Sequence, residues 1–163
     1  MRSEEEMMAL IMDFVADDPN IRAAVLIGSR ANPNVKKDIF QDYDIGCFVA
    51  NVDAYKTDRT FLEHFGELML MQIPEDMDDP PPANDGHYGY LMQFTDGNRI
   101  DLGFAPVESL SEEPQGALTK VLVDKDRILG DLPPPSDKDF LPEEPTEKSF
   151  DDCCNEFWWV CPY

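Results

Sequence analysis

The chain has 163 residues, 42% of them hydrophobic, with 34 acidic against 13 basic side chains and a formal charge of −21. That length suits one domain with its own core. The charge argues against nucleic acid as a partner, because phosphate binding needs a basic surface, and it suits a cationic ligand without naming one.

No apolar run approaches the roughly 20 residues that span a bilayer, and the polar, acidic opening Met1-Arg2-Ser3-Glu4-Glu5-Glu6 does not read as a secretory leader. The cysteines are Cys47, Cys153, Cys154 and Cys161, with no Cys-x-x-Cys pair, so a zinc site is not expected. Free thiols and a cytoplasmic location are the simplest expectation.

In chain order, Ser3 with Glu6 forms a capping-box pattern. Met7, Met8, Leu10, Ile11, Phe14 and Val15 then recur at helical spacing, and Asp17-Asp18-Pro19-Asn20 ends that helix. Ile21 to Ile27 reads as a buried strand broken by Gly28-Ser29. Residues 31–41 form a polar loop, and Tyr43 to Ala50 reads as a second strand. Thr57 to Glu67 carries Phe61, Leu62 and Phe65 at helical spacing, and Leu68 to Ile73 is a third strand candidate.

Residues 74–87 hold five acids and three consecutive prolines, which reads as an exposed loop. Tyr88 to Thr95, Asp96-Gly97, and Asn98 to Ala105 give the strongest hairpin pattern in the chain. Leu118 to Val123 suggests another strand. Residues 131–145 form a Pro-rich connector, and Thr146 caps a last helix through Ser149, Phe150, Cys153, Phe157 and Val160. The large apolar Phe157, Trp158, Trp159 and Val160 need packing partners. Residues 146–163 are therefore expected to begin a helical domain that this chain carries only in part.

Chemistry concentrates around Gly28-Ser29. Twelve residues separate Ser29 from Asp42-Tyr43-Asp44, and Asp101 stands in the later apolar run Ile100-Asp101-Leu102. Side chains alternate faces along a strand. Asp42 and Asp44 thus point one way while Tyr43 and Ile45 point into the core, and Asp101 shares its face with Arg99 and Gly103. If the two strands are neighbours, three carboxylates converge. Like charges that close resist joint ionisation unless a cation intervenes, and an all-oxygen donor set favours Mg²⁺ or Mn²⁺.

Glycine lets backbone approach a phosphate, the Ser29 hydroxyl can donate to phosphate oxygens, and Arg30, Lys36 and Lys37 supply positive charge nearby. Asp-x-Asp by itself is weak in so acidic a chain. Asp76/Asp78, Asp124/Asp126 and Asp137/Asp139 repeat it in polar surroundings and read as solvated charge. The conjunction of apolar strand, Gly-Ser turn, Asp-x-Asp strand and third Asp is far more specific.

At these residues the sequence resembles the aminoglycoside nucleotidyltransferases, and specifically the aminoglycoside 6-adenylyltransferases. Asn32 to Asp38, Phe40 to Ile45, Tyr90 to Leu102 and Cys153 to Val160 carry the resemblance as well, so it covers nearly the whole chain.

The resemblance implies an α+β, polymerase-β-like nucleotidyltransferase fold over residues 1–130, a mixed sheet flanked by helices. It implies transfer of AMP from ATP to a hydroxyl of a cationic aminoglycoside such as streptomycin, with release of pyrophosphate and with two Mg²⁺ ions expected. It suggests Asp42 and Asp44 as metal ligands and Asp101 as a metal ligand or the base for the acceptor hydroxyl. Gly28, Ser29 and Arg30, with Lys37, are then the nucleotide-binding residues. Two alternatives stay open: a nucleotidyltransferase with another acceptor, and a non-catalytic nucleotide-binding fragment.

Overall fold

A computed structural model of the chain describes residues 1–111 and 116–161. Helix α1 (Glu4–Asp17) starts at a reciprocal cap, in which Glu6 N donates to Ser3 Oγ and Ser3 N donates to the Glu6 carboxylate at 2.7 Å. Met7, Ile11, Phe14 and Val15 form its buried face.

Among the described residues six strands follow: β1 (Ile21–Ile27), β2 (Tyr43–Val49), β3 (Leu68–Gln72), β4 (Tyr88–Phe94), β5 (Arg99–Pro106) and β6 (Thr119–Asp124). They form one sheet in the order β3-β4-β5-β2-β1-β6. β2 and β5 run parallel, and the other neighbouring pairs are antiparallel. The sheet is therefore mixed and the class is α+β.

The two faces of the sheet differ. α1, the short helix α2 (Asp53–Thr57) and a 3-10 segment (Thr60–Phe65) cover one face. The main core lies there, with Tyr43, Ile45, Tyr90, Ile100, Leu102 and Phe104 all essentially fully buried. On the opposite face Ala23, Val25, Phe48, Ala105 and Leu129 form a smaller cluster. The strand ends at Ile27, Asp44 and Asp101 lie beyond that cluster on the same face.

The β4–β5 hairpin turns at Asp96-Gly97. Gly97 takes φ +90°, a conformation that favours glycine. The Asp96 carboxylate accepts hydrogen bonds from the backbone N–H groups of Arg2 and Asn98 and from Arg2 Nε, which ties the start of the chain to the turn.

Several expectations are revised. Residues 57–67 are not one α-helix: α2 stops at Thr57, and a 3-10 segment carries Phe61, Leu62 and Phe65. The Asp58 carboxylate accepts from both Thr60 N and Thr60 Oγ1, a local alternative to helical bonding that ends α2. β3 is an edge strand that exposes Met69, Leu70 and Met71. The connector contains a 3-10 turn at Lys138–Phe140.

α3 (Glu147–Val160) is capped by Thr146 as expected and buries none of its side chains. Residues 162 and 163 lie outside the described residues. All four cysteines are free, with Cys47 buried. Among the described residues, no helix is long and apolar enough to cross a membrane.

Candidate metal and nucleotide site

The register between β2 and β5 builds the site. Asp44 pairs with Asp101 across the parallel ladder, and Tyr43 pairs with Ile100. Tyr43 and Ile100 point into the core, so alternation sends both carboxylates to the other face. Asp42 lies one alternation before Asp44 and joins them. One carboxylate oxygen from each of Asp42, Asp44 and Asp101 falls within 4.8 Å of the others, and all three residues are half-buried.

Desolvation and mutual repulsion act together here. Burial, then the Asp42 and Asp101 charges, push the Asp44 carboxyl up to about 6, against a partial opposing pull from Arg99. Such a cluster is expensive when fully ionised without a cation. Three oxygen donors within one ion's reach are the donor set that hard divalent cations take, so the residues present fit Mg²⁺.

Gly28 opens the 3-10 turn Gly28–Arg30 and takes φ +74°. A Cβ there would stand 2.8 Å from Asp44 Oδ2, so glycine at 28 serves both the left-handed backbone and the position of the carboxylate. Gly28 N donates to Leu118 O at 3.0 Å, which fixes the turn against the residue before β6. Ser29, half-buried, sits next on the same turn.

The basic residues divide differently from the sequence expectation. Arg30 Nε and Nη2 donate to the carbonyl oxygens of Asp42 and Gln41 at 2.8 and 2.6 Å. Its guanidinium lies 3.7 Å from the centroid of the Tyr43 ring, its side chain is only 9% exposed, and it approaches Glu4 of α1. Lys37 also binds Glu4, at 2.5 Å. Both therefore face the α1 side, where they line a hollow of about 230 Å³ with Arg2 and Tyr43.

The guanidinium on the carboxylate side belongs to Arg99. Its Nε and Nη2 donate to Asp101 Oδ1 and Oδ2 at 2.8 and 2.6 Å, and its Nε lies 3.7 Å from Asp42. Sequence reading placed Arg99 on this face but gave it no role. The signal was its i, i+2 relation to Asp101 in a strand.

The same face continues into a hollow of about 290 Å³ floored by Gly46 and Gly103, with Val25, Ile27 and Phe48 among its walls. Gly46 and Gly103 are paired in register, each two residues beyond a carboxylate, and Gly89 continues the row on β4.

Comparison with known proteins places the chain in a family. The family model described as streptomycin adenylyltransferase matches residues 1–163. Proteins named aminoglycoside 6-adenylyltransferase are similar along the whole chain: 43% identical in Bacillus subtilis (strain 168), 40% in Staphylococcus aureus and 43% in Campylobacter jejuni. The chain spans 57–58% of the length of these relatives. A crystal structure of an aminoglycoside 6-adenyltransferase from Bacillus subtilis matches all of this chain and 56% of its own, with a TM-score of 0.62 at 35% identity. The chain belongs to the streptomycin adenylyltransferase family.

Proposed function

We propose that this chain carries the nucleotide- and metal-binding part of an aminoglycoside 6-adenylyltransferase, which transfers AMP from Mg-ATP to a hydroxyl of a cationic aminoglycoside such as streptomycin. The observation that carries the reading is the Asp44–Asp101 register with Gly28 closed against Asp44. Family membership supports the choice of reaction. In this reading residues 1–130 form the nucleotidyltransferase domain, 131–145 the Pro-rich connector, and 146–163 the beginning of a helical domain. Modification of the drug in the cytoplasm, where ATP is made available, would give resistance.

Asp42 and Asp44 are the metal ligands in this reading, with Asp101 as third ligand or as base. A divalent cation held there would neutralise phosphate charge and polarise the attacked phosphorus. The Gly28–Ser29 turn receives the phosphates through backbone N–H groups and the Ser29 hydroxyl. The acceptor oxygen forms a bond to the α-phosphorus. The bond from that phosphorus to the bridging oxygen breaks, and pyrophosphate leaves with the electron pair. The hydroxyl proton passes to a carboxylate within hydrogen-bond reach, for which Asp101 is the candidate.

The test is incubation of the chain with ATP, Mg²⁺ and streptomycin, followed by mass spectrometry. Adenylylated streptomycin and pyrophosphate in equal amounts are expected. Binding of ATP and metal with no product would reject transfer by this chain.

A further inference from the structure

Arg99 occupies both oxygens of Asp101 and leans toward Asp42, so one guanidinium offsets part of a three-carboxylate cluster. An Asp101 oxygen that accepts from Arg99 Nε or Nη2 in this end-on geometry is not free for a cation in the same direction. Arg99 and a divalent cation therefore compete for Asp101.

The side chain is 44% exposed and, among the described residues, its polar partners are the Asp101 and Asp42 carboxylates, so it can leave Asp101 without uncovering any core. Arg30 is the opposite case. It is 9% exposed, bound to two backbone carbonyls and stacked on Tyr43, and it could reach a ligand on the carboxylate face only by breaking those contacts.

We propose that Arg99 is a displaceable internal cation. It holds the acidic cluster together in the metal-free chain, releases Asp101 on divalent-cation binding, and then binds the nucleotide's phosphates as their guanidinium partner. Guanidinium suits both tasks, because its planar fork matches carboxylate and phosphate oxygens alike. The exchange makes nucleotide binding depend on metal twice: through the ligands themselves and through the release of Arg99. It rests on the metal and nucleotide reading above and adds a residue and an order of events to it.

The test is calorimetric titration at pH 8 of the wild type, Arg99→Gln and Arg99→Lys, first with Mn²⁺ alone and then with tripolyphosphate in saturating Mn²⁺. Removing the competitor should tighten Mn²⁺ binding to Arg99→Gln by roughly 3- to 10-fold, the effect of one partly screened charge. The same variant should bind tripolyphosphate about tenfold more weakly, having lost a bidentate anion partner. Arg99→Lys should recover part of the phosphate affinity.

A merely structural role would weaken both titrations together, so the opposite signs are the discriminating result. Weaker Mn²⁺ binding by Arg99→Gln, or unchanged tripolyphosphate binding, would overturn the proposal while leaving the metal site intact. A wild type that binds no Mn²⁺ would overturn the metal reading itself and this proposal with it. Thermal melting of the three proteins without metal checks that each is folded.

Discussion

Gly28 and Asp44 approach so closely that a Cβ at 28 would lie 2.8 Å from Asp44 Oδ2. The Gly28–Arg30 turn and the Asp44 carboxylate of β2 are thus one packed unit. Gly28→Ala must adopt φ +74° with a side chain and displace the carboxylate. A stability loss of about 1–2 kcal/mol is expected, together with weakened metal binding. Chemical denaturation and Mn²⁺ titration measure the two effects, and an unchanged Mn²⁺ affinity would mean the carboxylate position is not critical.

Removing a carboxylate from the cluster should separate stability from function. Asp44→Asn deletes a half-buried charge that Asp42 and Asp101 repel. The metal-free variant is expected to melt about 2–4 °C higher at pH 7.5, the shift that ~1 kcal/mol gives in a domain of this size. Its melting temperature should no longer respond to Mg²⁺. A variant that melts lower than wild type, or still responds, would show that the cluster is not strained by its own charge.

The sign of the pH dependence follows from the same group. Asp44 is pushed up to about 6, first by burial and then by its acidic neighbours. Its proton is held more tightly in the folded than in the unfolded chain. The metal-free fold therefore loses stability as pH rises from 3.8 through about 6, and the loss is complete above that. Cations need the ionised carboxylate. The melting increment produced by Mg²⁺ should be small at pH 5 and larger at pH 7.5, and equal increments at both would contradict this assignment.

Asp96 anchors the chain start to the β4–β5 turn. Bonds from Arg2, and then from Asn98, hold its carboxyl well below the usual carboxylate range. That stabilisation is fully present above pH 3.8 and is lost as pH falls below it. Asp96→Ala is expected to cost about 1–3 kcal/mol at pH 7. The gap between variant and wild type should shrink below pH 3.

Gly103 makes a different prediction. A Cβ there meets only Ile45 O, at 3.9 Å, and its φ lies outside the left-handed region. The fold alone therefore has no need of glycine at this strand position. Gly103→Ala should stabilise the chain by about 0.5–1 kcal/mol, read as a rise in melting temperature.

Much of this was legible in the sequence because local chemistry and tertiary structure agree. The Ser3–Glu6 cap, the Asp96-Gly97 turn and the alternation around Asp42-Tyr43-Asp44 each follow from a few residues. The adjacency of β2 and β5 was only a condition in the sequence, since a long-range parallel pairing leaves no local trace.

The 57–67 segment misled because Leu62 and Phe65, three apart, suit a 3-10 turn as well as an α-helix. Arg30 and Lys37 lie close to the Gly-Ser turn in sequence. Their direction was set by Tyr43, Glu4 and two backbone carbonyls that spacing does not reveal. Arg99 has a legible partner in Asp101 two residues on, but the carboxylate cluster it offsets forms only when β2 brings Asp42 and Asp44 beside β5.

The most direct test of the central claim is calorimetric titration of ATP into the chain with Mg²⁺ and again with excess chelator, for wild type and Asp44→Asn. Saturable binding that requires Mg²⁺ and disappears in Asp44→Asn is the predicted result. Binding that survives both the chelator and the substitution would contradict a nucleotide site built on Asp42, Asp44 and Asp101.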